Sequence, residues 1–229
     1  MKSNAGIVCE RYPQIKVCGL TLVEEAVQCA QLGADAIGMV FYPPSPRNVS
    51  AKAAREIGIN LPRGVRKVGV FVDEPFLQIM NIAQLCGLDF VQLHGCESPE
   101  MVDALQSNGI AVIKTLFAKK RPFLSEADDY RASAFLVEGG AGESLPGGTG
   151  LGWEWSEAGN RAALRPCILA GGLNPENVGE AIFQFAPDAV DVSSGVESAP
   201  GRKDRDKVRA FIEAVRNATL RCVPGRVFK

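Results

Sequence analysis

Histidine is almost missing from this chain: a single residue, His94, in 229. The seven cysteines form no Cys-x-x-Cys pair, so the spacing of a zinc site is missing too. An odd cysteine count in a chain long enough for a large core argues for reduced thiols in the cytoplasm, not for a disulfide framework. No apolar run is long enough to span a bilayer. Residues 1–13, of mixed polarity, lack the apolar segment of a signal peptide. A formal net charge of −1 leaves no basic footprint for nucleic acid. No domain linker and no low-complexity stretch interrupts the chain. What remains is a cytoplasmic globular protein without zinc-ligand spacing, in which local groups can still hold a single small or anionic ligand.

What is present is a regular alternation. Hydrophobic residues make up 46% of the chain, ordinary for a globular core. Short apolar runs at 15–18, 36–41, 66–72, 90–94, 111–117, 134–138, 167–170 and 189–193 read as strands. Helical faces intervene, such as Val23, Ala26, Val27 and Ala30 at i, i+3, i+4, i+7. Thr21, with Glu24 three residues on, reads as a capping box for the first helix, and Ser50 as the cap of the second. A helix over 122–130 is weakly patterned, and another is expected over 153–164. Strand–helix units in strict alternation imply parallel strands. Eight of them within one domain's length favour a single closed (β/α)₈ barrel, an α/β fold of about this size. An open doubly wound sheet is the structural alternative. The barrel domain is expected over 14–218, after an N-terminal extension (1–13) and before a loose tail (219–229).

Chemistry in such folds sits at the C-terminal ends of the strands. Cys18 ends the first. A lone strand cysteine is usually core, as Cys9, Cys29, Cys86, Cys96, Cys167 and Cys222 are read to be inert, but a thiol at the mouth can act as base or nucleophile. Glu138 ends the sixth strand on the face of Leu136, and a carboxylate there is uncommon as pure structure. Asp191 is similarly placed on the eighth. His94 shares a face with Gln92 and reads as an imidazole that shapes a pocket. Arg47, after the proline-stiffened turn at 42–47, is either solvated or forked onto a carboxylate. Lys16 and Lys114 invite a Schiff-base reading, but neither ends its strand, and ion pairing in the barrel is the better account. Two glycine-bearing stretches, 169–174 and 192–197, follow strands seven and eight, where barrels often hold phosphate.

The ordered set of motifs resembles the phosphoribosylanthranilate isomerase family. The motifs are Lys-Val-Cys-Gly-Leu-Thr (16–21), Gly-Ala-Asp-Ala-Ile-Gly (33–38), Ser-Pro-Arg (45–47), Val-Gly-Val-Phe-Val (68–72) and Val-Gln-Leu-His-Gly (91–95), then Gly-Gly-Thr-Gly (147–150), Leu-Ala-Gly-Gly-Leu (169–173) and Asp-Val-Ser-Ser-Gly-Val-Glu (191–197). The resemblance implies a (β/α)₈ barrel with no cofactor and no metal, a phosphosugar substrate, and an Amadori rearrangement in tryptophan biosynthesis. It puts the general base on Cys18, the carboxylate anchor on Arg47 and the phosphate-binding backbone on Gly171, Gly172, Ser194 and Gly195. Gln92, His94 and Asp191 complete the expected substrate-binding set. The sequence departs from the family at Glu138, where an aspartate usually serves as general acid. Positive potential is expected to draw the Cys18 thiol toward thiolate. The stretch 139–152 reads as a lid or a static connector. A related synthase-type phosphosugar barrel, which would want lysines at strand ends, and a non-catalytic phosphate-binding barrel are the competing functions. A monomer is expected.

Overall fold

The computed structural model describes residues 12–139, 164 and 166–229. Residues 1–11 of the extension expected over 1–13, most of the connection over 139–152 and the helix expected over 153–164 lie outside the described residues, Leu164 apart. Eight parallel strands close into a barrel in sequence order. They are β1 (Gln14–Cys18), β2 (Ala36–Phe41), β3 (Arg66–Phe71), β4 (Phe90–Leu93), β5 (Ala111–Phe117), β6 (Ala134–Glu138), β7 (Cys167–Ala170) and β8 (Ala189–Val192). Closure is made by β1 against β8, with Lys16 opposite Asp191 and Val17 opposite Val192.

The strands are short apolar runs because both of their faces are covered. Alternate residues point inward, and Ala36, Val68, Ile113, Leu136, Ile168 and Ala189 form an interior core. The intervening residues, among them Ile15, Val17, Ile37, Val91 and Val190, face the helices. The outer layer contains α1 (Val23–Leu32), α2 (Ala51–Asn60), α3 (Phe76–Cys86), α4 (Pro99–Ser107), α5 (Val178–Phe185) and α6 (Arg205–Arg216). Among the described residues no helix is long and apolar enough to cross a membrane.

Ser50 caps α2 as expected, accepting from the backbone N–H of Ala53. Thr21 does not cap α1. Its hydroxyl donates to the Gly201 carbonyl at 2.8 Å, and the N-cap position falls to Leu22, which makes no side-chain cap. The weak pattern over 122–130 gives a 3₁₀ turn, Leu124–Asp129. A short hairpin, β9 (Glu197–Ala199) and β10 (Arg202–Lys203), separates β8 from α6.

The C-terminal residues are not a loose tail. Val227 and Phe228 are buried against the interior core, and the Phe228 ring meets Phe90 edge-on at 5.6 Å. The Gln14 side chain clamps them: Oε1 accepts from the N–H groups of Val227 and Phe228 at 2.7 and 2.9 Å, and Nε2 donates to the Phe228 carbonyl at 3.0 Å. Polar sequence around an apolar pair read as a tail. The open N-terminal end of the barrel gives that pair somewhere to bury.

Candidate active site

At the opposite end, the C-terminal ends of the strands surround one open cleft of about 720 Å³. Cys18, Arg47, Gln92, His94, Glu138, Gly171, Gly172, Asp191 and Ser194 all line it. Gly195 is not in its wall but lies in the 3₁₀ turn Ser194–Val196 that carries Ser194. Strand alternation accounts for most of this convergence. Gln14, Lys16 and Cys18 occupy successive inward positions on β1, Gln92 and His94 do so at the end of β4, and Leu136 and Glu138 on β6. Lys114, by contrast, points outward between the loop after β4 and Tyr130, where its ammonium donates to Glu97 at 2.6 Å and to the Gly95 carbonyl at 2.8 Å. Lys16 donates to Asp191 at 2.9 Å. Both lysines are therefore ion-paired and buried.

On one wall His94 is clamped on several sides. Its Nδ1 lies 3.0 Å from both Gln92 Nε2 and Thr115 Oγ1, and Phe117 packs edge-on against the ring at 5.5 Å. An amide nitrogen only donates, so this arrangement makes Nδ1 the acceptor and puts the ring proton on Nε2. That atom is 3.0 Å from Glu138 Oε2, but off the line a hydrogen bond needs. Gln92 Oε1, His94 Nε2 and Glu138 Oε2 are buried and have no hydrogen-bond partner among the described residues. Buried polar atoms left so are costly. Three of them around one cleft suit a ligand that carries several hydroxyls.

On the facing wall, Cys18 is buried beside Lys16. The expected draw toward thiolate is reversed: burial pushes the thiol above its ordinary value, and Lys16, opposed in turn by Asp191, recovers only part of the shift. Arg47 does fork onto a carboxylate, and that carboxylate is Glu197. Nε and one terminal nitrogen donate to its two oxygens at 2.8 and 2.7 Å. Lys203 also reaches Glu197, at 2.7 Å, and donates to the Ser193 carbonyl at 3.1 Å. Burial works against the charge on Glu197, but Arg47 and Lys203 outweigh it and hold the carboxyl below its usual range. Burial lowers Lys203 despite the same partner. Ser193 Oγ donates to the Cys18 carbonyl at 3.0 Å, which ties the end of β1 to the loop after β8.

The remaining walls divide by character. Val40, Tyr42, Val70 and Val72 make an apolar side next to Arg47. Gly171 and Gly172, with φ of +92° and +69°, turn the backbone after β7 along the cleft beside the Ser194 turn that follows the neighbouring β8. Among the described residues no group of three or more His, Cys, Asp or Glu side chains gathers as metal ligands.

The profile of the N-(5'-phosphoribosyl)anthranilate (PRA) isomerase family matches residues 15–214. The chain belongs to this family. The N-(5'-phosphoribosyl)anthranilate isomerase of Desulfatibacillum aliphaticivorans is 50% identical over 215 residues, which is 94% of this chain and 98% of its own. That of Rubrobacter xylanophilus is 44% identical over 89% of this chain and 99% of its own. The crystal structure of the Thermotoga maritima phosphoribosyl anthranilate isomerase superposes with a TM-score of 0.82 at 40% identity, covering 89% of this chain and 98% of that one. A further phosphoribosyl anthranilate isomerase was solved in complex with reduced 1-(o-carboxyphenylamino)-1-deoxyribulose 5-phosphate; it superposes at 0.79, with 39% identity over the same shares of the two chains.

Sequence reading brought nine residues to this cleft and missed others that shape it. Glu197 stands in the Asp-Val-Ser-Ser-Gly-Val-Glu motif, so its position was visible, but its pairing with Arg47 and Lys203 was not. Thr115 shares the inward face of β5 with Ile113, a signal that alternation carries. Lys203, in a two-residue strand, left no pattern to find.

Proposed function

We propose that this protein catalyses the Amadori rearrangement of N-(5-phosphoribosyl)anthranilate to 1-(2-carboxyphenylamino)-1-deoxyribulose 5-phosphate, the isomerase step of tryptophan biosynthesis. The observation that carries the reading is a thiol and a carboxyl, Cys18 and Glu138, on different walls of one cleft at strand ends. The barrel, the ordered motifs and the family membership support it.

In this reading Glu138 protonates the furanose ring oxygen. The C1′–O bond breaks and the anilino nitrogen supplies the electrons, giving an iminium and a free hydroxyl. Cys18, as thiolate, takes the C2′ proton. The C2′–H electrons form an enolamine and neutralise the iminium nitrogen. Protonation at C1′ and loss of the C2′ hydroxyl proton then give the ketone. Protons are redistributed within the substrate, and no external oxidant or reductant is needed. Gln92, His94 and Asp191 serve the sugar hydroxyls.

Two anchors hold the sugar between acid and base, an orientation effect. Backbone and hydroxyl groups of Gly171, Gly172, Ser194 and Gly195 take the phosphate. Arg47 takes the anthranilate carboxylate. Glu197 occupies two of its five N–H groups, and three remain for a ligand. The apolar side formed by Val40, Tyr42, Val70 and Val72 suits the aromatic ring. We take the enzyme to act as a cytoplasmic monomer; a Thermotoga maritima relative is described as dimeric, and sedimentation of this chain decides between the two states.

The test is turnover of anthranilate ribotide. Cys18→Ala should lose roughly 10²–10⁴-fold in kcat while still binding product. Arg47→Ala should instead raise KM, because a carboxylate contact persists from ground state to transition state. Wild-type turnover by Cys18→Ala would return the thiol to the core and overturn the mechanism.

A further inference from the structure

Lys16 is among the largest wholly buried side chains in the protein, and the reaction as written above gives it no task. It stands one inward position below Cys18 on β1 and donates to Asp191, its register partner on β8, at 2.9 Å. A purely structural pair of this kind has little to recommend it, since apolar residues of similar volume commonly serve as well or better. Gly38 on β2 shows where the ammonium ends. It is the register partner of Cys18, and a Cβ built on it would lie 2.6 Å from Cys18 Sγ and 3.1 Å from Lys16 Nζ. Sulfur and ammonium together border the space that any side chain at position 38 would enter.

We propose that Lys16 is the counter-ion of the Cys18 thiolate, a positioning residue that acts through the base, and that the bare backbone of Gly38 is what lets the two groups meet. The proposal rests on reading Cys18 as the general base.

The surroundings balance in charge. Lys16 faces the thiol from β1, Asp191 from β8 and Lys203 from β10; Glu197 bridges Lys203 to Arg47, whose stem lies over Gly19 in the turn after β1. With the thiol protonated, three cations meet two carboxylates. Loss of the thiol proton makes the group neutral, so the thiolate forms without leaving a buried charge uncompensated. Of the charges that act on the sulfur, Lys16 pulls hardest against burial; Asp191 pushes the other way, and Lys203 adds a smaller pull. Asp191 thereby has a second task besides lining the cleft. It takes one hydrogen of the ammonium, which holds Nζ between Asp191 on β8 and Gly38 on β2, beside the sulfur.

The experiment is the pH dependence of Cys18 alkylation by iodoacetamide, followed by mass spectrometry of the Cys18 peptide in the whole chain. It reads the thiolate and not turnover. The exposed Cys96 and Cys222 are internal controls. In Lys16→Met, alkylation of Cys18 at about pH 8 should slow about tenfold or more, its midpoint moving up by at least about one pH unit, with the controls unchanged. Should Lys16→Met fail to fold, because Asp191 is left unpaired, Lys16→Met/Asp191→Asn removes both charges. Its midpoint should also rise, by less, since the opposing carboxylate is gone too. A midpoint equal to wild type in a folded variant of either kind would overturn the proposal. Failure of the underlying reading shows separately: full turnover by Cys18→Ala removes the base, and the proposal with it, whatever Lys16 does to alkylation.

Discussion

Glu138 is where a single side chain tests the chemistry most directly. The aspartate that the resemblance leads one to expect here is one methylene shorter, and the longer side chain comes within 3.0 Å of the His94 imidazole. Glu138→Gln keeps shape and hydrogen-bonding capacity but has no acidic proton, so kcat should fall by roughly 10²–10⁴-fold. Glu138→Asp restores the usual residue but withdraws the carboxyl by about 1.5 Å, one C–C bond. A displacement near 1 Å can cost about 10²-fold. We expect Glu138→Asp to be impaired, though less than Glu138→Gln, in steady-state kinetics on the same substrate. Full activity in Glu138→Gln would move the acid elsewhere, with Asp191 the next carboxyl in the cleft. On the proposed mechanism, Cys18 sets the pH dependence. A base works deprotonated, and burial raises this thiol above its ordinary value near 9.0. The kcat/KM of the free enzyme should therefore still climb as pH passes 8 and 9. A plateau reached by about pH 7 would contradict a buried thiol as the base. The same shift acts on stability. A folded-state value above the unfolded one gives stability that is complete below about 9.0 and is lost as pH rises through the folded value.

At the scale of elements, α6 and α1 differ in how they start. Asp204 caps α6 through hydrogen bonds from the N–H groups of Asp206 and Lys207, and α6 in turn buries Val208, Phe211, Ile212 and Val215. Asp204→Ala should cost about 1 kcal/mol in denaturant unfolding, with kcat little changed, since the cap lies outside the cleft. At α1 the threonine that looks like a cap in the sequence is spent on the Gly201 carbonyl, a contact 180 residues away that docks the β9–β10 hairpin onto the start of the helix. Local pattern and tertiary demand competed for one hydroxyl, and the hairpin took it. Ser50 has no such competitor, and its cap stands as the sequence suggests.

For the whole molecule, the barrel has a worked end and a plugged end. Cleft residues occupy the C-terminal ends of the strands, while Phe228 and Val227 fill the other opening and are held by Gln14 at the foot of β1. A buried phenylalanine cut back to alanine costs about 3–5 kcal/mol. Phe228→Ala should therefore lower stability by an amount of that order in equilibrium unfolding. Its kcat should remain near wild type, because the plug lies at the far end of the barrel from Cys18 and Glu138. A variant as stable as wild type would restore the reading of 219–229 as a tail.

The amino-acid sequence by itself determined the architecture and most of the cleft. Eight apolar runs punctuated by glycine and proline leave few ways to bury both faces of each strand. Period-two alternation then decides that Cys18, Gln92, His94, Glu138 and Asp191 point the same way. What it did not determine are the partners across the closure. Arg47 meets Glu197 across 150 residues, and Gln14 meets Phe228 across 214. Periodicity reports which face a side chain occupies and says nothing of what another part of the chain brings to that face. Whether Arg47 is solvated or forks onto a carboxylate, whether the thiol is drawn down by cations or pushed up by burial, and whether Val227 and Phe228 trail or plug were decided only when β8 closed on β1. Closure is the step that sets distances, burial and charge at once.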